Sequence, residues 1–167
     1  MDLIQNANYR GDMMHSVDLC RLHRRIPNSV LYNKPHQLVV KDHKGTILFF
    51  QSGKFRIMGC IDELEATFLL YSYTILINDY EFPMVTLQSY TATSHLGFTV
   101  NLEKLAASMV TAIYEPELFP ALRIREYNPA SVNVFTTGKV IVCGLRDANK
   151  MNDIISELRA LCKPFQY

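Results

Sequence analysis

The sequence predicts an α+β fold built from two copies of one module, and three observations carry that prediction. A phrase recurs: residues 50–59 read Phe-Gln-Ser-Gly-Lys-Phe-Arg-Ile-Met-Gly and residues 135–144 read Phe-Thr-Thr-Gly-Lys-Val-Ile-Val-Cys-Gly, so Phe50, Gly53, Lys54 and Gly59 return 85 positions later. The register then holds without a gap from the Pro35/Pro120 pair to the Asp62/Asp147 pair. Around each phrase the hydrophobic pattern gives the same order of strand, short helix, several antiparallel strands and long helix. A repeat of half the chain is too long for a solenoid, and sheets followed by helices on one face make α+β the natural class. The repeats are placed at residues 1–81 and 82–167, together forming one domain large enough to bury a core.

Element by element, Leu3 to Tyr9 reads as a short strand followed by a Gly-Asp turn. Ser16 is expected to cap a short helix with Leu19, Cys20 and Leu22 as its apolar stripe, ended by Pro27-Asn28. Residues 37–41, 46–51 and 54–58 read as strands joined by tight turns at Asp42 to Gly45 and at Ser52-Gly53, and Gly59 closes the sheet. Asp62 then caps a helix running to Asp79, whose apolar positions Leu64, Phe68, Tyr71 and Ile75 step by four, three and four. Leu69, Leu70, Leu76 and Ile77 widen the stripe almost all round, so this helix is expected to be buried.

The second half follows suit. Residues 85–91 form a strand, and Asn101 caps a helix bearing Leu102, Leu105, Met109 and Val110. Residues 121–127 and 131–136 form a hairpin around Asn128-Pro129, and Asp147 caps a closing helix with Ala148, Met151, Ile154, Ile155, Leu158 and Leu161 inward.

Composition excludes more than it selects. Cys20, Cys60, Cys143 and Cys162 show no metal-binding or disulfide spacing, so a reducing compartment is the default. The start Met-Asp-Leu-Ile-Gln lacks the pattern of a signal peptide, and Ala66 to Ile77, the most apolar run, is too short to span a bilayer. His15, His23, His36, His43 and His95 form no H-E-x-x-H, and Gly53 and Gly138 precede strands rather than helices, so neither a metallohydrolase nor a phosphate loop is indicated. No enzyme, metal or cofactor is expected. Charge is uneven within a net +1: residues 1–59 carry nine Lys/Arg against four Asp/Glu, residues 60–122 one against eight, and residues 123–167 seven against four. Two basic ends that met in space would make a phosphate-holding surface; the same pattern equally describes solvated faces.

Three stretches carry a family resemblance: Ile4-Gln5-Asn6 in the first strand, the duplicated Phe-x-x-Gly-Lys hairpins, and Tyr114-Glu-Pro-Glu-Leu-Phe-Pro120. In this order on a duplicated frame they resemble the core of the TATA-box-binding protein family over essentially residues 3–163. The resemblance implies a ten-stranded, curved antiparallel saddle with four helices on its convex face. Its concave sheet would face the minor groove of double-stranded DNA, where apolar wedges part base steps and kink the duplex. Carried over position by position, Phe119 and Phe135 match the second half's wedge pair and Phe50 one member of the first half's. Asn6 matches a base-edge asparagine, Arg125 a phosphate-contacting arginine, and Tyr114, Glu115, Glu117 and Leu118 the stirrup where a B-class initiation factor docks. RNA polymerase machinery is the further implied partner, no membrane is involved, and the implied location is the nucleus, or for a virus-encoded copy the host nucleus or a cytoplasmic factory.

Strand parity supports part of this. In residues 131–135, Val132 and Val134 point toward the helices, which leaves Ser131, Asn133 and Phe135 on the open face. Departures from the family gather in the first half. No phenylalanine stands around Asn33 to Gln37, where the second wedge is due, and parity puts Asn8, Arg56 and Met58 on the floor of the sheet. Arg56 could enter a narrow groove or simply snorkel to phosphate or solvent. In the second half Ser89 replaces an asparagine, beside Thr91, Ile141 and Cys143. The long first-half helix has no Lys or Arg where the family is basic. Two functions follow: an asymmetric, DNA-bending initiation factor, or an interaction module that holds initiation factors with weak or no TATA-specific DNA binding.

Overall fold

The computed structural model describes residues 3–77, 83–127 and 129–167. Ten strands and four α-helices lie among them, distributed over two compact units, and all observed strand pairs are antiparallel. One unit comprises Asn6–Gln88, and the other Ser89–Tyr167 with the chain's opening residues through Gln5.

The first unit contains β1 (Leu3–Asp12), α1 (Leu19–Arg25), β2 (Ser29–Asn33), β3 (His36–Lys41), β4 (Thr46–Phe50), β5 (Lys54–Cys60) and α2 (Glu63–Thr74), with strand order β2-β3-β4-β5-β1. Alternate residues of its sheet point inward: Ala7, Tyr9, Leu38, Val40, Ile47, Phe49, Phe55 and Ile57 are buried on the side where α1 and α2 pack. The Phe49 and Phe55 rings meet at 6.4 Å in a tilted contact, and burying such a side chain stabilises by about 1.5–3 kcal/mol. The second unit repeats the plan with β6 (Thr86–His95), α3 (Leu102–Ala107), β7 (Ala112–Ile113), β8 (Ala121–Ile124), β9 (Ser131–Phe135), β10 (Lys139–Leu145) and α4 (Lys150–Cys162), in the order β6-β10-β9-β8-β7. Its core joins Leu122, Val132, Val134, Val140 and Val142 of the sheet to Leu105, Met151, Ile155 and Leu158 of the helices.

The duplicated phrase is a hairpin whose tip is pinned. Gly53 and Gly138 take φ of 89° and 86°, which side-chain-bearing residues avoid, and a Cβ on either would collide with a backbone carbonyl, that of His15 or of Phe98. The same approach is bonded: Met13 N–H donates to the Gly53 carbonyl at 3.0 Å and Val17 N–H to Gln51 at 3.0 Å. Their counterparts are Leu96 to Gly138 at 2.8 Å and Val100 to Thr136 at 2.9 Å. Each hairpin tip is thus fastened to the segment that follows the unit's first strand.

Several expectations need correction. β1 runs on through Gly11-Asp12, because those residues pair with Phe55 and Lys54 instead of turning. Asp18, not Ser16, caps α1, its carboxylate accepting the Arg21 N–H at 3.0 Å; Cys20 of the expected stripe is exposed. β5 extends past Met58 to Cys60, so Gly59 lies inside it. β2 went unread because its pattern is inverted: Ser29 is buried, donating its hydroxyl to the Ile26 carbonyl at 2.6 Å, while Val30 and Tyr32 are 47% and 44% exposed.

Asp62 does cap α2, accepting the Glu65 N–H at 2.8 Å, and Glu65 reaches back to the Ile61 N–H at 2.8 Å. Yet α2 is not buried all round. Only Ala66, Leu69, Leu70, Tyr73 and Thr74 face the sheet, and the Leu64, Phe68, Tyr71, Ile75 stripe lies outside. The helical rows end at Thr74 and a 3-10 turn over Ile75–Ile77; the expected end at Asp79 lies outside the described residues. Asn101 caps α3 as expected, but the helix stops at Ala107, leaving Val110 fully exposed. Asp147 holds the turn before α4, accepting the Asn149 N–H at 3.0 Å, and the helix proper starts at Lys150 with Asn149 as its cap residue. The turn residue Asn128 lies outside the described residues, but β8 and β9 pair as the expected hairpin.

Candidate nucleic-acid interface

Because the helices of each unit pack on one face of its sheet, the alternate residues form a second, open face. In the second unit the cross-strand registers put these residues in rows. One row reads Ile113, Arg123, Asn133, Ile141, Thr93, and its neighbour reads Ser131, Cys143, Thr91. A third pairs Ala121 with Phe135. Thr91, Ile141, Cys143 and Ser89 are all half-buried, a smooth floor of small or apolar groups.

Phe119 and Phe135 stand together at the end of this floor, ring centroids 6.1 Å apart and edge to face, with Phe119 40% exposed. Arg123, unassigned from sequence, links the two rings to the floor. Its guanidinium lies 5.7 Å from the Phe119 ring, and its Nε donates to Asn133 Oδ1 at 3.4 Å. Those neighbours explain a departure: Asn133 is on the open face by parity, but only 8% exposed, because Arg123 and Cys143 close over it. Arg125 follows at the end of β8, exposed, on the same parity as Arg123.

The first unit carries equivalent rows with different chemistry. Val30, Val39, Leu48, Arg56 and Arg10 lie side by side across five strands, and Thr46, Met58 and Asn8 form the next row. The first row sets two arginines directly opposite each other. Like charges in that relation destabilise a sheet unless an anion lies near them. Arg10 escaped sequence reasoning, since only the strand register brings it to Arg56. Asn6 sits half-buried beyond Asn8, and its Oδ1 accepts the Gly59 N–H at 2.7 Å. Its acceptor end is thereby fixed to the backbone, and the NH₂ end is the donor that remains.

Phe50 is half-buried on the same face, but its cross-strand partner is Gln37, whose own partner is Tyr32. The gap-free register that sets Pro35 against Pro120 needs correction on this strand. Gln37 pairs with Phe50 as Ala121 pairs with Phe135, one residue out of that register, so the position matching Phe119 is Pro35, which is exposed. The first-unit counterpart of Phe119 is thus a proline, and Tyr32, across from Gln37, is the exposed aromatic of this edge. Sequence alone could not place Tyr32, because β2 itself was unread.

The third group, Tyr114 to Leu118, forms the loop between β7 and β8. The Glu115 carbonyl accepts both the Leu118 and Phe119 N–H groups, at 3.0 and 2.9 Å, so this loop sets the position of Phe119. Glu115, Glu117 and Leu118 are exposed, Leu118 at 81%, whereas Tyr114 packs partly against the unit's core.

Titratable groups elsewhere serve the fold. Burial pushes the Cys60 and Cys162 thiols up to about 11, which keeps them protonated and unreactive at neutral pH. Asp42 is held below the ordinary carboxylate value, chiefly by the Lys44 backbone N–H and also by the Tyr73 hydroxyl at 2.8 Å. Among the described residues no three His, Cys, Asp or Glu side chains gather as a metal site, and no helix is long and apolar enough to cross a membrane.

The same pattern recurs in known proteins. Residues 84–163 match the family model described as transcription factor TFIID, or TATA-binding protein. The TATA-box-binding protein of Methanocaldococcus jannaschii is 32% identical over 131 residues, covering 71% of this chain and 72% of that one. That of Tetrahymena thermophila is 26% identical over 164 residues, covering 93% and 67%. The solved structure of the Methanococcus jannaschii TBP superposes with a TM-score of 0.83 at 26% identity, covering 98% of both chains. With matches of this extent beside a repeated plan of five antiparallel strands backed by two helices, the chain belongs to the TATA-box-binding protein family.

Proposed function

We propose that the chain is a transcription initiation factor whose two open sheet faces, one from each of the repeats at 1–81 and 82–167, bind the minor groove of double-stranded DNA and bend it unequally. The observation that carries the reading is the Phe119–Phe135 pair, two partly exposed rings at the edge of a floor of small or apolar groups. Such rings are suited to part a base step, and DNA that deforms at low cost is then preferred. In the first repeat Phe50 acts with Tyr32 and Pro35, a weaker combination, while Asn6 and Asn8 offer donors to the acceptors of A·T pairs. Arg10, Arg56, Arg123 and Arg125 supply the positive charge that phosphates or a narrow groove attract. Ser89, Thr91, Met58, Ile141 and Cys143 form the contact floor, with Asn133 available once Arg123 swings to DNA.

The exposed Glu115, Glu117 and Leu118 with Tyr114 form the docking loop for a B-class initiation factor, through which RNA polymerase is recruited, and the site of action is the nucleus or, for a viral copy, the host nucleus or a viral factory. A second reading, an interaction module with weak DNA binding, is favoured by Pro35 standing where a phenylalanine would complete the pair with Phe50. The test is binding to an A·T-rich duplex and to the same duplex with A·T replaced by inosine·cytosine. That exchange keeps the minor-groove pattern and changes the major groove. Equal affinity supports minor-groove reading. No binding to either duplex, with or without a B-class factor, sinks it in favour of the second.

A further inference from the structure

We propose that the outer face of α2 is a docking surface for an amphipathic helix with basic flanks, supplied by another protein. Leu64, Phe68, Tyr71 and Ile75 are 79%, 56%, 39% and 53% exposed, and their spacing lays them along one stripe about 16 Å long. Ile61, 77% exposed, extends it at the N-terminal end. None of these side chains supports the core, which takes Ala66, Leu69, Leu70 and Tyr73 from the opposite side of the helix. A surface helix ordinarily turns polar residues outward. Here both sides are apolar, and a contiguous exposed patch of this kind marks an interaction site.

Three observations specify the occupant. Beside the stripe runs a groove of about 190 Å³ between Phe68, Tyr71 and Pro83. That is below the roughly 300–1,000 Å³ of small-molecule sites, so it suits one or two anchoring side chains, and the spacing of the stripe is that of helix-in-groove recognition. The helix itself carries charge of one sign: α2 bears Glu63 and Glu65 behind Asp62 and has no Lys or Arg of its own, and the one cation on the stripe, Lys44, comes from the β3–β4 turn. Finally, Lys44 already places its ammonium 4.6 Å from the Phe68 ring centre, which shows that the stripe holds a cation over an aromatic face. An apolar ridge flanked by Lys or Arg satisfies all three. The same face of a second copy does not, because its α2 brings carboxylates and no basic side chain.

The test uses the full chain and a labelled synthetic helical peptide with leucines at i, i+4 and i+7 and Lys/Arg on both flanks, read by fluorescence anisotropy. A matched peptide with Glu at the flanks is the control. The basic peptide should bind at least tenfold more tightly than the acidic one, and added salt should weaken it. Leu64→Ser with Phe68→Ser should reduce its affinity roughly tenfold or more while leaving thermal unfolding and binding to A·T-rich DNA unchanged. Glu63→Lys should narrow the preference between the two peptides. Equal binding of both peptides, no binding of the basic one, or indifference to the Leu64/Phe68 substitutions would overturn the proposal. So would sedimentation showing a dimer that those same substitutions dissolve, which would assign the face to a second copy.

Discussion

Removing Phe119 should cost DNA binding far more than it costs the fold. The ring is 40% exposed in the free protein. A phenylalanine carries about 200 Å² of surface, so wedging it between base pairs covers roughly 80 Å² more, and at about 25 cal/mol per Å² that is about 2 kcal/mol. Phe119→Ala is therefore expected to weaken binding to an A·T-rich duplex about 30-fold. The edge-to-face contact with Phe135 adds about 0.5–1.5 kcal/mol that either substitution forfeits, so the double variant should lose less than the sum of the singles. Phe50→Ala removes a ring that has Gln37 rather than a second phenylalanine beside it, and should weaken binding by a smaller factor. Affinity measured by anisotropy and bend measured by energy transfer between duplex ends would check this. Wild-type protein should bend the duplex asymmetrically, and Phe119→Ala should remove most of the bend. Equal losses for Phe119→Ala and Phe50→Ala, with a symmetric two-kink bend in the wild type, would refute the reasoning.

Other outcomes follow from single contacts. Asn6→Asp keeps an acceptor for the Gly59 N–H but loses the NH₂ donor, so it should retain stability and lose DNA affinity; Asn6→Ala should lose both, with about 0.5–1.5 kcal/mol of stability gone in urea unfolding. Replacing Arg10 and Arg56 by alanine should flatten the dependence of log K on log salt by about one unit per phosphate contact removed, and should stabilise the free protein slightly by ending a like-charge pair. Tyr73→Phe should lower stability at neutral pH by about 1 kcal/mol. Since Asp42 is depressed in the folded state, its contribution is present above its ordinary value of 3.8 and is lost as pH falls through the folded value, so the two proteins should converge in acid. A difference of the same size at both ends of that range would argue against the Asp42 link.

Much of this architecture can be read from the chain because repetition and capping are local signals. The hairpins, the Asp62 and Asn101 caps and the inward valines 132 and 134 need only neighbours in sequence. What could not be read depends on what lies across a strand or over a helix. Periodicity grouped Leu64, Phe68, Tyr71 and Ile75 on one side of α2, but which side the sheet would cover was decided by the smaller Ala66 and the leucines beside it. Ser29 turned inward because its hydroxyl donates to the Ile26 carbonyl and is hydrogen-bonded to the His23 ring, and so a strand with its apolar residues outside escaped detection. The Arg10–Arg56 pair and the place of Pro35 are facts of register, and no pattern within one strand contains them.

The pinned hairpin tips bear on mechanics. Parting stacked base pairs means pushing against a stiff medium, and a side chain on a compliant arm would yield before the bases did. Phe50 and Phe135 each stand three residues from a glycine seated directly on the backbone of another segment and bonded to it. The load on the ring therefore passes into the body of the unit instead of bending a free loop. Under the proposed function Gly53 and Gly138 would touch no base and would still set how much force the protein could deliver, and a hairpin loosened there would still present its phenylalanine while no longer being able to drive it home.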